Sequence, residues 1–150
     1  MVKVTVELSA FSHSTELEDR VRAALLNAVP AELRPRLSQR VSAQRVEGYY
    51  GNVVTVLRVL VSGSAGLEVL RYILCSMGRT DLEILLATVS SRIEERRARL
   101  HLRLGKQDLY LGKVRLYEGG DVVKVVASFE GLRGVELVDY LREVAKSCAG

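Results

Sequence analysis

Apolar and polar residues alternate in several stretches of the chain, and apolar residues recur at helical spacing in others. Val2, Val4, Val6 and Leu8 share one face of the first stretch, which predicts a β-strand over residues 2–11. Similar alternation predicts further strands at residues 40–46, 53–61, 100–104, 110–116 and 123–129. Spacings of three and four residues predict helices that start near Thr15, Ser64, Thr80 and Gly134, the third of them running to Ile93.

The predicted order of elements is β-α-β-β-α-α-β-β-β-α, and 150 residues fit one domain. Runs of strands separated from helices indicate the α+β class. Clean alternation is typical of a sheet with one face against the core and one face toward water. We therefore expect a single domain over residues 1–150, with an antiparallel-rich sheet and helices packed mainly on one face.

Composition narrows the class of protein only slightly. No apolar run approaches the ~20 residues of a membrane helix. The strand-like start predicts that there is no signal peptide, and Cys75 and Cys148 are expected to be reduced, so we expect a cytoplasmic location. A net charge of +4 weakly favours an anionic partner.

Positive side chains fall on the predicted outward positions of the last three strands. They are Arg99, His101 and Arg103, then Lys113 and Arg115, then Lys124. If the strands are adjacent, these side chains form one basic platform that neutralises phosphates. The alternative is that they are simply the solvated polar positions of a sheet. These strands lack an outward aromatic pair for stacking on bases, so any nucleic-acid binding is expected to be led by the backbone and only weakly selective for sequence.

Two glycine-containing segments place amide, aromatic and cationic groups together. The first contains Tyr49, Tyr50 and Asn52, and the second contains Lys106 and Gln107. Such groups beside a close-approaching backbone contact phosphates or base edges. Gly and Asn are equally the residues that ordinary turns require, so a purely structural role is the alternative.

Catalytic chemistry has little support in the sequence. His13 and His101 are the only histidines, and neither belongs to a recognisable catalytic or metal-binding motif. Glu16, Glu18 and Asp19 are expected in the first turn of a helix, where acids interact well with the dipole. We expect no enzyme activity, no metal and no cofactor.

Three segments resemble a family of small archaeal proteins described as RNA-binding and as predicted exosome-associated subunits. They run from Ala10 to Glu16, from Gly48 to Asn52, and from Arg103 to Gly112. Tyr49 and Gly105 stand where that family usually has His and Asp. The resemblance implies a fold similar to the large-subunit ribosomal protein that binds 5S ribosomal RNA. It implies no catalytic residues, and it suggests that the glycine-containing segments lie close together on one surface.

The sequence therefore predicts a non-catalytic RNA-binding protein, linked to RNA processing or ribosome function, with further protein partners in RNA processing. A protein-interaction or structural subunit that uses the open sheet face or a sheet edge is the alternative, and an enzyme acting on RNA is a third. Continuous positive charge on the open face would favour RNA, whereas a broad apolar patch would favour a protein partner. The predicted RNA-binding residues are Tyr49, Tyr50, Asn52, Arg99, His101, Arg103, Lys106, Gln107, Lys113, Arg115 and Lys124.

Overall fold

A computed structural model describes the backbone of residues 2–148 and the side chains of these residues except that of Tyr49. The strands in this part of the chain are β1 Lys3–His13, β2 Ser42–Glu47, β3 Val53–Val61, β4 Ile93–Glu94, β5 Arg99–Gly105 and β6 Val122–Glu130. The α-helices are α1 Glu18–Leu26, α2 Arg34–Ser38, α3 Ser64–Ser76, α4 Arg79–Ala87, α5 Lys106–Tyr110 and α6 Leu137–Lys146.

The strands form one antiparallel sheet in the order β2-β3-β1-β6-β5-β4. The first strand of the chain lies in the middle of the sheet, between β3 and β6. The predicted α+β class and the antiparallel sheet are confirmed.

One face of the sheet packs against the helices, and the other is open. Along β1 the even-numbered residues Val4, Val6, Leu8 and Ala10 are buried, whereas the odd-numbered residues reach the open face. Hydrophobic burial is the main favourable term in folding, so this alternation fixes which face packs inward. The prediction that helices cover mainly one face is confirmed.

Helix α3 approaches β1 unusually closely because of a glycine. A Cβ atom on Gly66 would overlap the carbonyl oxygen of Val4. Only glycine therefore allows this helix to rest directly on the central strand.

The predicted strand over residues 110–116 is wrong. Lys106–Tyr110 form a short helix instead, and a single bridge between Leu104 and Leu116 is the pairing found there. Leu109 is buried, and its carbonyl oxygen accepts a hydrogen bond of 2.7 Å from Nδ2 of Asn27. Gly112 has a φ of +83°, which suits the residue that follows a helix.

The predicted third helix is too long. It ends at Ala87, and Ile93 belongs to the short edge strand β4, where it pairs with Leu100. The apolar residues between Leu82 and Ile93 therefore belong to a helix, a turn and a strand in succession, although their spacing is that of one helix.

The prediction that both cysteines are reduced is also wrong for this structure. Cys75, at the end of α3, forms a disulfide with Cys148, just beyond α6, and their Cα atoms are 5.1 Å apart. Arg71 reinforces the junction, because its Nη2 donates a hydrogen bond of 2.9 Å to the carbonyl oxygen of Ser147. The disulfide therefore holds the last helix against α3.

Candidate nucleic-acid interface

The open face carries a row of cations that crosses its central strands. Arg58 of β3 pairs in register with Ser9 of β1. Ser9 pairs in turn with Lys124 of β6, and Lys124 pairs with Arg103 of β5. Strands lie roughly 4.8 Å apart, so this basic row, consisting of Arg58, Lys124 and Arg103, spans about 14 Å.

The cations of the basic row are held in different ways. Nη2 of Arg103 donates a hydrogen bond of 2.7 Å to the carbonyl oxygen of Gly119, which fixes the half-buried guanidinium. Nζ of the exposed Lys124 lies 5.8 Å from the centre of the Phe11 ring. Arg58 lies 3.8 Å from a carboxylate oxygen of Glu7, and both side chains are about half exposed.

The face on either side of the basic row is not uniformly positive. Toward the β2–β3 turn it carries Phe11, Val46, Val54 and Val56, which share two neighbouring rows of the register. Phe11 and Val46 are each 45% exposed. We call these four residues the apolar half of the open face.

On its other side the basic row borders acidic, apolar and basic side chains. Glu7 lies between Leu60 and Val126 in register, and Val126 pairs with His101. Arg99 lies one row further along, beside Ser128. Arg99 and His101 therefore do face the open side as predicted, but the continuous basic platform that we expected from the last three strands is not present.

A small pocket opens between the basic row and the apolar half. Its volume is about 240 Å³, and its lining is mostly apolar. It is lined by Ser9, Ala10, Phe11, Arg103, Gly120, Val122 and Lys124. An aromatic ring and two cations thus share one concavity, which we call the Phe11 pocket.

The glycine-containing turn between β2 and β3 projects beyond the end of the sheet. The backbone N–H of Gly48 donates a hydrogen bond of 2.7 Å to the carbonyl oxygen of Asn52, which closes the turn. Tyr50 has a φ of +64°, in the left-handed region that side chains seldom adopt, and its side chain is fully exposed. Tyr49 was also a predicted contact residue, but its side chain lies outside the described part of the structure.

This turn and the end of β1 form the two sides of a shallow groove. Tyr50 and Asn52 line one side, and His13, Ser14 and Thr15 line the other. The first two sequence segments that resembled the family are therefore neighbours in space.

The third segment reaches the same region from inside the protein. Lys106 is only 3% exposed, and its Nζ lies 2.8 Å from the carbonyl oxygen of Phe11. The same Nζ lies 3.0 Å from both carboxylate oxygens of Glu16 and 2.9 Å from Oδ1 of Asp121. We call Lys106, Glu16 and Asp121 the Lys106 cluster.

Two predictions about this cluster need correction. Lys106 was expected to be a surface cation for phosphate, but four protein oxygens surround its ammonium group. Glu16 was expected in the first turn of a helix, but it precedes α1 and also accepts a hydrogen bond of 3.0 Å from the backbone N–H of His13.

Neighbouring residues set the pKa of the Asp121 carboxyl group. Burial raises the pKa of its carboxyl group, but hydrogen bonds from Lys106 and Gln107 and the charge of Lys106 outweigh it, so the pKa lies below the ordinary value of 3.8. Nε2 of the exposed Gln107 lies 3.1 Å from Oδ2 of Asp121. Gln107 thus orients a carboxylate of the cluster at the protein surface.

Lys113 and Arg115 lie away from the open face, contrary to the predicted platform. They line a cleft with Tyr72 of α3 and Arg79 of α4, on the side of the sheet that the helices cover. The cause is the helix α5, which replaces the strand that would have placed them beside Lys124.

Other kinds of site receive no support from the described residues. Among them, no three His, Cys, Asp or Glu side chains are placed so that they could hold a metal ion. None of the helices in the described chain has the length and apolar character needed to cross a bilayer.

Sequence reasoning missed two residues of the open face. Phe11 and Arg58 have the outward parity of their strands, and this signal was available. They were overlooked because the platform was assigned to the last three strands. The sheet order instead makes β1 the immediate neighbour of both β3 and β6.

Comparison with known proteins places this architecture in one family. A family described as RNA binding matches residues 5–129. An RNA-binding protein of Pyrococcus abyssi is 30% identical over 124 residues, which cover 80% of this chain and 77% of that protein. An uncharacterised protein of Methanocaldococcus jannaschii is 28% identical over 130 residues, 84% of each chain.

A solved structure agrees with the sequence matches. The crystal structure of a protein from Archaeoglobus fulgidus is similar with a TM-score of 0.77 and 29% identity, over 93% of this chain and 97% of that one. The match to residues 5–129 spans most of the sequence, including all six strands except the first two residues of β1 and the last residue of β6. This chain therefore belongs to the family described as RNA binding.

Proposed function

We propose that this protein binds RNA without cleaving it, and that the basic row makes the main contacts with phosphates. The observation that carries the proposal is the alignment of Arg58, Lys124 and Arg103 across neighbouring strands. Phosphate contacts supply much of the affinity of nucleic-acid-binding proteins. Membership of a family described as RNA binding supports the same conclusion.

Other predicted residues have a secondary place in this proposal. Arg99 and His101 extend the contact surface on one side of the basic row. Tyr49, Tyr50 and Asn52 extend it at the β2–β3 turn, and Gln107 lies at the edge of the Lys106 cluster. Lys106 supports the fold of this region, and Lys113 and Arg115 are outside the proposed contact surface.

The cellular role that we propose is in RNA processing or ribosome function in the cytoplasm. The exosome connection and the likeness to the ribosomal protein that binds 5S RNA rest on the family resemblance of the three sequence segments. The Cys75–Cys148 disulfide is compatible with a cytoplasmic location if the source is a hyperthermophile, whose intracellular proteins are rich in disulfides.

A protein partner is the second candidate, and the apolar half of the open face favours it. Phe11, Val46, Val54 and Val56 would offer a surface for such a partner. RNA remains the better proposal because the basic row borders this apolar half directly. Single-stranded nucleic acid has both charged phosphates and apolar base faces, so it matches both parts.

Titration of labelled RNA at two salt concentrations tests the proposal. The variant replaces Arg58, Lys124 and Arg103 by Ala. A matched control removes the same charge from the helical side, at Arg36, Arg142 and Lys146, which are all exposed. We expect micromolar-range binding that weakens with salt.

The expected difference between the two triple variants is in both affinity and salt dependence. Affinity falls as salt rises, and loss of three phosphate contacts to a single strand makes the plot of log affinity against log salt less steep by about 2. The control should keep the wild-type slope. Absence of binding by the wild type at low salt, or an equal loss in both variants, would refute the proposal.

A further inference from the structure

We propose that the Phe11 pocket receives one unpaired base of RNA, stacked on the Phe11 ring, while Lys124 and Arg103 contact the adjoining phosphates. This inference rests on the proposed RNA binding and specifies the form of RNA that is bound. It adds a base contact to the sequence-based expectation of binding mainly through backbone phosphates.

Phe11 is placed where a hydrophobic side chain would ordinarily be covered. It belongs to β1, a central strand of the sheet, yet its side chain is 45% exposed on the open face. A central, exposed aromatic ring is a typical platform for a nucleobase, since every base has a face that stacks.

The pocket has the size and chemistry of a site for a single base. Its volume of about 240 Å³ is smaller than the ~300–1,000 Å³ typical of sites for drug-sized ligands. Its lining is mainly apolar, and Val122 contributes beside Phe11. The two cations, Arg103 and Lys124, line the same pocket, so a base inside it and its phosphates can be bound together.

Two of the groups that line the pocket are held by hydrogen bonds before any ligand binds. Arg103 is fixed by its hydrogen bond to the carbonyl oxygen of Gly119. The backbone of Phe11 is fixed by the hydrogen bond of 2.8 Å from Nζ of Lys106 to its carbonyl oxygen. Preorganised groups lose less conformational freedom on binding, which favours affinity.

Stacking in the pocket requires a base that is not paired. In an A-form duplex the bases are stacked on one another, and the deep major groove does not admit side chains. Unpaired bases can be splayed out and stacked on aromatic side chains. The pocket therefore predicts tighter binding of single-stranded RNA than of a duplex.

Fluorescence of 2-aminopurine placed within a single-stranded oligonucleotide tests this proposal directly. Transfer of the fluorophore from its neighbouring bases to the Phe11 ring should change its emission, and the protein has no Trp to interfere. Phe11→Leu keeps an apolar side chain but removes the ring, whereas Phe11→Tyr keeps the ring. Leu60→Ala is the control, because it truncates another exposed apolar residue of the open face.

We expect a change of emission with the wild type, Phe11→Tyr and Leu60→Ala, and its loss with Phe11→Leu. Phe11→Leu should also weaken binding of the single strand by about tenfold. Its affinity for a duplex of equal length and its salt dependence should stay as in the wild type.

The outcomes separate this proposal from the one on which it rests. If the wild type binds neither RNA, the proposed function is wrong and the base pocket is refuted with it. If it binds single strand and duplex equally, without a change of emission and without an effect of Phe11→Leu, RNA binding stands and the base pocket alone is refuted.

Discussion

Lys106 and Lys124 lie on opposite sides of the same residue, Phe11, and have opposite surroundings. Lys106 lies inside the protein, with its ammonium group hydrogen-bonded to the backbone of Phe11 and to two carboxylates. Lys124 lies outside, above the ring of Phe11, on the open face. The same residue type thus supports the fold in one place and is available to a ligand in the other.

The comparison shows why a cation in a motif is weak evidence for phosphate binding. A buried charge must be paired within the protein, because removal from water is costly. Lys106 satisfies this requirement with Glu16 and Asp121, so little of its charge remains for a ligand. The exposed Lys124 keeps its charge for an external anion.

The largest expected effect is the loss of stability on changing Lys106 to Met. The substitution leaves Glu16 and Asp121 without their cation, but water reaches both carboxylates in part, so the expected cost is about 2 kcal/mol of unfolding free energy, less than for a fully buried pair. Urea denaturation measures the change. Lys113→Met is the matched control at an exposed position, and it should change stability by less than about 0.5 kcal/mol.

The same variant tests the comparison from the functional side. RNA affinity per folded molecule should be nearly unchanged in Lys106→Met, since Lys106 is not at the surface. If affinity falls sharply while unfolding free energy stays constant, Lys106 belongs to the interface and the contrast with Lys124 is wrong.

A smaller effect on stability is expected at acid pH, where the Asp121 carboxylate becomes protonated. The pKa of Asp121 is lowered in the folded protein from its ordinary value of 3.8. A carboxyl group with a lowered folded pKa stabilises the protein fully above its unfolded pKa. That contribution is lost as the pH falls below about 3.8 and through the lower folded value.

Asp121→Asn should therefore flatten the dependence of unfolding free energy on pH in the acid range. At neutral pH it should cost about 1 kcal/mol, because charge-assisted hydrogen bonds are lost at a side chain that is half exposed. Glu47→Gln makes the same chemical change at an exposed position and serves as control. If the unfolding free energy of Asp121→Asn falls with decreasing pH as steeply as that of the wild type, the Asp121 carboxylate is not stabilised by the cluster.

The periodic parts of the fold could be predicted from sequence, because they depend on local pattern. The expected strand over residues 53–61 coincides with β3, and residues 123–129 lie within β6. The segment over residues 110–116 was misassigned because Tyr110, Val114 and Leu116 fit one face of an alternating pattern. Asp108 in the first turn and Gly112 after the last were helix signals in the same stretch.

The site was less predictable because it depends on contacts between residues that are far apart in sequence. Glu16 and Lys106 are 90 positions apart, and no local pattern reveals that they meet. The sheet order, which sets Arg58 and Lys124 on either side of Ser9, is likewise a long-range property. The family resemblance grouped the three segments, and in the structure residues 48–52 and 103–112 each adjoin the segment at residues 10–16.

The smallest expected effect concerns Tyr50. Unlike Lys106, Tyr50 should lower the unfolding free energy of the protein rather than raise it. Its left-handed backbone is unfavourable for Tyr, and its side chain is fully exposed. Strained residues of this kind concentrate at functional sites. Asn tolerates the conformation better, so Tyr50→Asn should raise the unfolding free energy by up to about 1 kcal/mol.

The same substitution should weaken RNA binding if the turn extends the contact surface, since it removes an exposed aromatic ring that can stack on a base. Tyr50→Phe keeps both the ring and the strain, so its stability and its affinity should match the wild type. Thermal unfolding and RNA titration on the two variants give the answer. A gain in stability with unchanged affinity would exclude the turn from the RNA surface, because the turn would then only connect β2 and β3.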